Sequence, residues 1–391
     1  MYESASTAKS RVIVAGGGVA ALEAALALRA LAEERVAVEL LAPERAFTYR
    51  PLAVAEAFAA GRVHRFELAE LAAACGAHVY AGALEAVEPD DRLARTSRGE
   101  WFEYDALLIA CGARPVEAVP GAVTFRGPED MDAVRAVVDD LRARGGSLVV
   151  AVPGGVVWPL PAYELALLAA AQLGPGADLV LVTPEQIPLA VFGGEASDAV
   201  AALLEERGIE FRGGSYPVSF EGGRLSLVPG GELEARHVVA LPHLKGPALA
   251  GVPHDGDGFI PTDVYGRVEA LPDVYAAGDV TTFPVKQGGI AAQQAEAAAE
   301  AIAAAAGAEV TPVGFRPVLR GLLLTGAVPS FMRAELGGGQ GGTATLEHEA
   351  LWWPPSKIAG RYLGSFLADR AGLELEPPPA LAGLAVEVEL S

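Results

Sequence analysis

The stretch Arg11 to Leu31, RVIVAGGGVAALEAALALRAL, constrains this chain more than any other. Val12 to Ala15 read as a buried parallel strand. Gly16 to Gly18 read as a turn too tight for side chains, and from Val19 onward Ala and Leu recur at helical spacing. Gly16 allows the sharp turn, Gly18 lets a backbone approach a pyrophosphate, and Ala21 takes the third small position where helix and strand pack closely. Val19 and Ala20 open the helix, whose unpaired N–H groups and partial positive charge favour an anion. The expected ligand is a dinucleotide.

Composition bounds the remaining choices. A chain of 391 residues has room for two or three domains with substantial cores. Its hydrophobic content of 51% lies in short runs, none reaching the roughly 18 to 20 residues that span a bilayer. The N-terminus MYESASTAKS has no basic segment followed by an apolar core, so a cytoplasmic location is the default expectation. The net charge of −21 opposes general attraction to nucleic acid or to an anionic membrane. With two cysteines, Cys75 and Cys111, neither a disulfide framework nor a cysteine metal cluster is expected.

After the first helix, Val36 to Leu41 reads as the second parallel strand. An acidic residue at the tip of that strand holds ribose hydroxyls in dinucleotide folds. Glu44 is the candidate here, with a solvated loop charge as the alternative. The segment FTYRPL (Phe47 to Leu52) carries Arg50, either a ligand contact or a surface cation. Arg65 to Cys75 reads as a helix ended by Gly76, with Cys75 a small buried residue. YDALLIACGARP (Tyr104 to Pro115) reads as a buried strand running into a glycine turn that contains Cys111. No second cysteine is close in sequence, so packing is the simpler role for Cys111.

Pro128 to Arg144 reads as an amphipathic helix leading to a second strand–loop–helix, SLVVAVPGGVVWPLPAYELALLAAAQL. This repeats the architecture of the first unit, but its loop is unlike a phosphate turn. Pro153, Pro159 and Pro161 lack N–H donors, and Trp158 is bulky where a pyrophosphate needs a small residue. The following strand, Asp178 to Val182, ends in Thr183-Pro184 without an acidic tip.

Phe259 to Ala277 then has strand-like spacing and closes on LPDVYAAGDV. Gly278-Asp279 at the carboxyl end of a parallel strand places a carboxylate where such folds bind polyols. An alanine-rich helix follows to about Ala306. Beyond Thr311 the sequence reads as a hairpin, then a glycine-rich loop from Gly337 to Thr345, then an amphipathic helix from Lys357 to Arg370. This region is read as a cap or dimer surface, or as a membrane-surface or quinone-access element.

With GGGVAALEA, YDALLIACGARP and DVYAAGDV in this order, the chain resembles the flavoproteins of the pyridine nucleotide–disulfide oxidoreductase superfamily over nearly its whole length. The resemblance implies an α/β fold of two Rossmann-like dinucleotide-binding domains in a glutathione-reductase-like arrangement. Residues 1–114 and 255–311 would form the FAD domain, 115–254 the second domain, and 312–391 a C-terminal cap, with a homodimer expected. It implies FAD, with Gly16 and Gly18 at the pyrophosphate, Cys111 and Gly112 in the second crossing turn, and Asp279 on the ribitol.

Within the superfamily, YRPL, WPLPAYE and FPVKQGGIAAQQA resemble the branch of sulfide:quinone oxidoreductases, flavocytochrome c sulfide dehydrogenases and type II NADH:quinone dehydrogenases. By that likeness Lys286 and Gln287 lie near the flavin pyrimidine ring, with the helix from Gly288 aimed at it. Glu164 matches a glutamate near the flavin and is read as a proton relay or as a helix-dipole carboxylate. Two departures stand out. Trp158 occupies the place of a redox cysteine of the sulfide-oxidising members, and the second loop lacks the glycines and acidic tip of the NADH-oxidising ones. The expected activity is electron transfer from a small reductant through FAD to a quinone or protein acceptor. An NAD(P)H:quinone dehydrogenase and a non-catalytic flavoprotein are the alternatives.

Overall fold

Short runs rich in Val, Leu and Ile form two separate parallel sheets in the computed structural model, which describes residues 8–336 and 345–373. The first sheet has the order Val274–Ala276, Ala106–Ile109, Ser10–Ala15, Val36–Ala42, His78–Ala81, and all its pairings are parallel. Because side chains alternate along a strand, Val12 and Val14 face the helices while Ile13 and Ala15 face a small antiparallel meander from Leu84 to Glu103. Both faces are covered, which is why these strands read as continuous apolar runs.

The first helix (Val19–Ala32) lies along the long helix Gly288–Ala305. Ala21, Ala24 and Ala25 pack in one cluster with Ala291, Ala295 and Ala298, and methyl-sized side chains allow a close approach of the axes. The alanine-rich texture thus reflects packing as well as helix propensity.

The second sheet has the order Val123–Thr124, His237–Ala240, Ser147–Ala151, Asp178–Val182, Ile209–Arg212, again parallel throughout. The helices Met131–Arg144, Leu160–Leu173 and Gly194–Glu206 pack on it. Where the chain enters and leaves this unit, Arg114–Val116 pairs antiparallel with His243–Lys245. The C-terminal region adds an antiparallel sheet of Val318–Leu323, Ser330–Glu335 and Thr345–Glu347, then a short helix, Leu363–Arg370.

Several expectations are corrected. Arg65–Glu67 is a strand, because its backbone pairs with Ala46–Thr48, and the helix occupies only Leu68–Ala74. Phe259 to Ala277 contains one regular strand, Val274–Ala276, the rest being turns and isolated bridges. The C-terminal helix begins at Leu363 and not at Lys357, since a buried carboxylate from the first helix captures the N–H groups of Tyr362 and Leu363 and caps the helix there. Thr345 begins a strand. The remaining residues of the expected glycine-rich loop, 337–344, lie outside the described residues, as do residues 1–7.

Ala298, on the long helix, is fully buried against the Gly266 turn. Ala298→Leu should therefore overpack the interface and lower stability by about 1–3 kcal/mol, read as a fall in the urea midpoint at unchanged slope.

Candidate functional site

The carboxyl ends of the first sheet's strands gather motifs that are far apart in sequence. Gly16 leaves the first strand with φ +148°, and a Cβ there would overlap the Ala110 carbonyl oxygen at the end of the neighbouring strand. A Cβ on Gly17 would lie 2.7 Å from Leu68 Cδ2, whereas one on Gly18 would meet nothing within 4 Å. The turn is thus packed against protein on one side and open on the other. Leu22 is the first helix residue whose N–H bonds back, to the Gly18 carbonyl at 3.1 Å. The N–H groups ahead of it point out of the helix, with Val19 and Ala20 among them.

The Gly278 turn reaches the same place. With φ +83°, a Cβ on Gly278 would lie 3.1 Å from Ala20 Cβ, so the two distant glycine motifs abut. Gln294 Oε1 accepts the Gly278 N–H at 2.8 Å, and the Thr281 hydroxyl donates to the Gly278 carbonyl at 3.0 Å. This turn aims Asp279, whose carboxylate makes no hydrogen bond among the described residues. The surrounding protein pushes the Asp279 carboxyl up, and the nearby Lys286 ammonium opposes that shift.

Lys286 donates to the Thr281 carbonyl and lies 4.0 Å above the Phe259 ring. Burial pushes its amine down to about 8, against the pull of Asp279. The Gln287 side chain is committed within the protein: Oε1 accepts the Ile290 N–H at 2.8 Å and Nε2 donates to the Arg320 carbonyl at 3.1 Å. What Gln287 offers a ligand is its main chain, beside the first amides of the helix starting at Gly288.

Glu39 forms a two-point ion pair with Arg11 at 3.0 and 2.8 Å, which leaves exposed Glu44 as the free carboxylate at the second strand's tip. Cys111 sits in a cleft beside Gly16: solvent reaches its surface, while the surrounding protein pushes the thiol up to about 11. Gly112 adopts φ +72° with open space at its Cβ position. Arg50 is directed elsewhere. Its guanidinium bonds Glu129 Oε1 at 2.7 Å and the Arg126 carbonyl at 3.0 Å, tying the YRPL segment to the second unit.

Glu164 is fully buried in the helix Leu160–Leu173 and pairs with Lys357, whose side chain is 7% exposed. Glu164 Oε1 also accepts the Leu324 N–H at 2.9 Å, while Oε2 is buried without a hydrogen-bond partner. Burial pushes this carboxyl up despite the Lys357 charge. The next residue, Ile358, lies over Gly288, and its N–H donates to the Tyr49 hydroxyl at 3.0 Å. A strap from the C-terminal region therefore joins Glu164, Tyr49 and the start of the long helix. Lys357 gives no local sequence signal, standing 193 residues from Glu164, whereas Tyr49 lies inside FTYRPL.

The second crevice is built differently. Eight residues, Val152 to Pro159, separate strand from helix, against Gly16 to Gly18 in the first unit. His243 Nε2 donates to the Gly154 carbonyl at 2.7 Å. Trp158 packs edge-on to Phe192 with ring centroids 5.9 Å apart. Glu185, three residues past the strand tip, turns inward to accept from the Tyr163 hydroxyl at 2.7 Å and from the Ala190 N–H at 3.1 Å. Glu185 is thereby engaged within the protein and is not a free acid for a nucleotide ribose at that tip.

The sequence profile of the pyridine nucleotide-disulphide oxidoreductases matches residues 10–306. The chain belongs to that family. An NADH dehydrogenase-like protein of Mycobacterium tuberculosis is 30% identical over 292 residues, covering 69% of this chain and 72% of the relative. Among solved structures, the sulfide:quinone oxidoreductase of Aquifex aeolicus superimposes with a TM-score of 0.82 at 21% identity, covering 95% of this chain and 93% of that one. NDH2 of Plasmodium falciparum, solved with NADH, gives a TM-score of 0.67 at 14% identity, covering 85% and 92%.

Like its family, this chain is a flavin oxidoreductase whose cofactor is FAD. Its residues fit that group. The open face of Gly18 and the helix amides behind it suit a pyrophosphate, and the unpartnered Asp279 carboxylate suits the hydroxyls of a ribityl chain.

Two outcomes follow. Gly18→Val should leave the apoprotein's circular dichroism and urea midpoint unchanged yet abolish FAD retention, whereas Gly16→Ala should lower the midpoint itself because of the Ala110 overlap. In the apoprotein, the Lys286 amine is lowered on folding from 10.5 to about 8. Its contribution is therefore full above the ordinary value and is lost as pH falls towards 8. The stability difference between wild type and Lys286→Met should change across that window and level off below it.

Proposed function

We propose that the chain passes electrons from a small reductant other than a nicotinamide nucleotide, through FAD, to a quinone or protein acceptor, without a redox cysteine pair. The observation that carries this reading is the second crevice. Its loop is long and proline-bearing, the bulky Trp158 stands in it packed on Phe192, and Glu185 is sequestered by Tyr163. Each feature removes something a dinucleotide requires. Cys75 is buried with a thiol pushed up to about 11, and Cys111 lies at the first crevice beside the glycine turn. Neither stands at the Trp158 position.

Bound FAD supplies two-electron redox chemistry, and the chain's residues supply position, charge and protons. Gly16 to Gly18 and the following amides hold the pyrophosphate. Asp279 fixes the polyol, while Lys286 and the positive end of the helix starting at Gly288 favour negative charge beside them. Glu164 and Lys357 handle the proton. Burial pushes the Glu164 carboxyl up, Oε2 is the free atom that takes or gives the proton, and the Lys357 ammonium steadies the ionised form. The strap that brings Lys357 also excludes water from the pair.

The 30% identity to an NADH dehydrogenase-like protein favours a second reading, oxidation of a nicotinamide nucleotide through the altered loop. Anaerobic stopped-flow mixing separates the two. NADH should leave the flavin's visible band unbleached over the time in which dithionite bleaches it fully, and rapid bleaching by NADH would transfer the assignment to the second reading. With dithionite-reduced holoenzyme, reoxidation by a short-chain ubiquinone analogue should slow about 100-fold in Glu164→Gln and Lys357→Met, with FAD content unchanged. Wild-type rates in both variants would remove the proton-handling assignment.

A further inference from the structure

The first helix contains a carboxylate that the flavin site does not account for. Glu23 lies among alanines and leucines and is 0% exposed. Burying a carboxylate in such a setting costs several kcal/mol unless its oxygens are matched. Here the match comes from the other end of the chain: Oε1 accepts the Tyr362 N–H at 2.9 Å and Oε2 accepts the Leu363 N–H at 2.7 Å. Gly360 is shaped to this contact, since a Cβ there would lie 2.5 Å from Glu23 Oε2. The neighbouring charge on the long helix, Glu296, is neutralised by Arg361 at 2.8 Å. Burial nonetheless pushes the Glu23 carboxyl up to about 7, with the amides of Tyr362, Leu363 and Arg361 pulling it back.

Glu23 caps the terminal helix from outside it. The clamped residues follow directly on Lys357 and Ile358, which meet Glu164, Tyr49 and Gly288. The strap is thus fixed at two places: Glu23 holds its carboxyl end, and the pair with Glu164 is made nearer its middle. A packing role alone does not require a charged group here, as alanine fills neighbouring positions of this helix.

We infer that Glu23 is a positioning residue for the electron-transfer site: its carboxylate fixes the strap so that Lys357 reaches Glu164. The inference rests on the reading of Glu164 and Lys357 as the proton-handling pair, and it adds a residue that touches neither. Freeing the strap displaces the Lys357 ammonium, and a displacement of about 1 Å at a reacting group costs on the order of 100-fold in rate.

The test uses FAD-loaded protein and two readouts. In Glu23→Ala, amide hydrogen exchange should accelerate at least about tenfold not only at Tyr362 and Leu363 but also at Lys357 and Ile358, while Val12–Ala15 keep their protection. Reoxidation of dithionite-reduced enzyme by the short-chain ubiquinone analogue should slow, yet Glu23→Ala should cost nothing further in a Lys357→Met background. Exchange confined to Tyr362 and Leu363, or rate losses that multiply in the double variant, would overturn the inference. If Lys357→Met alone reoxidises at the wild-type rate, the proton-handling reading fails, and exchange at Lys357 and Ile358 decides the positioning role by itself. If Glu23→Ala does not fold, Glu23→Gln keeps the shape and one acceptor oxygen. Intermediate exchange at Lys357 and Ile358 then supports the inference, and wild-type exchange there refutes it.

Discussion

The structure depends on a contact that only a residue without a side chain can make. Gly16 comes so close to the Ala110 carbonyl that the ends of two neighbouring parallel strands meet with no side chain between them. Behind that contact lie the meander and the alanine-rich helices. In front lies the open face of Gly18. Because Gly278 abuts Ala20 in turn, the backbone around the crevice is built largely from glycine and alanine. What that crevice offers is main-chain amides and a few side chains at its rim, Glu44, Asp279 and Lys286.

The two sheets show how one architecture serves two purposes. Both are five-stranded and parallel, and both place a loop and a helix N-terminus at the carboxyl edge. In the first unit the loop is short and leaves its amides facing outward. In the second it is lengthened by prolines and a tryptophan, and Glu185, just past the strand tip, is bonded to Tyr163. The fold alone therefore does not specify two nucleotides. The helix at this altered loop instead carries Glu164 to the C-terminal strap.

Much of this was legible in the sequence because the signals are local. Gly16 to Gly18 between an apolar strand and an Ala/Leu helix, Gly278-Asp279 at a strand end, and Trp158 in a proline-rich loop each declare themselves within a dozen residues. What was hidden depends on partners remote in the chain. The start of the last helix is set by Glu23, 340 residues from Leu363, and Lys357 meets Glu164 only in the folded chain, 193 residues away in sequence. Arg65–Glu67 has helical spacing but pairs with Ala46–Thr48 because the ladder satisfies its backbone. The family likeness puts Gln287 near the flavin ring, yet its side-chain amide caps a helix and holds a strand. Residue type does not reveal which way a bifunctional side chain turns.

The antiparallel ribbon of Arg114–Val116 and His243–Lys245 has a consequence for how the chain assembles. The strand Val274–Ala276 must find Ala106–Ile109 across the whole of the inserted unit. Once that unit has closed on itself, the ribbon holds its entry and exit side by side, and the unit behaves as a knot tied in a string. Closure entropy grows with the logarithm of the free length, so this shortening lowers the cost of docking the final strand by on the order of 1 kcal/mol. The insertion thereby acts as an internal splint for the strand that leads into Asp279.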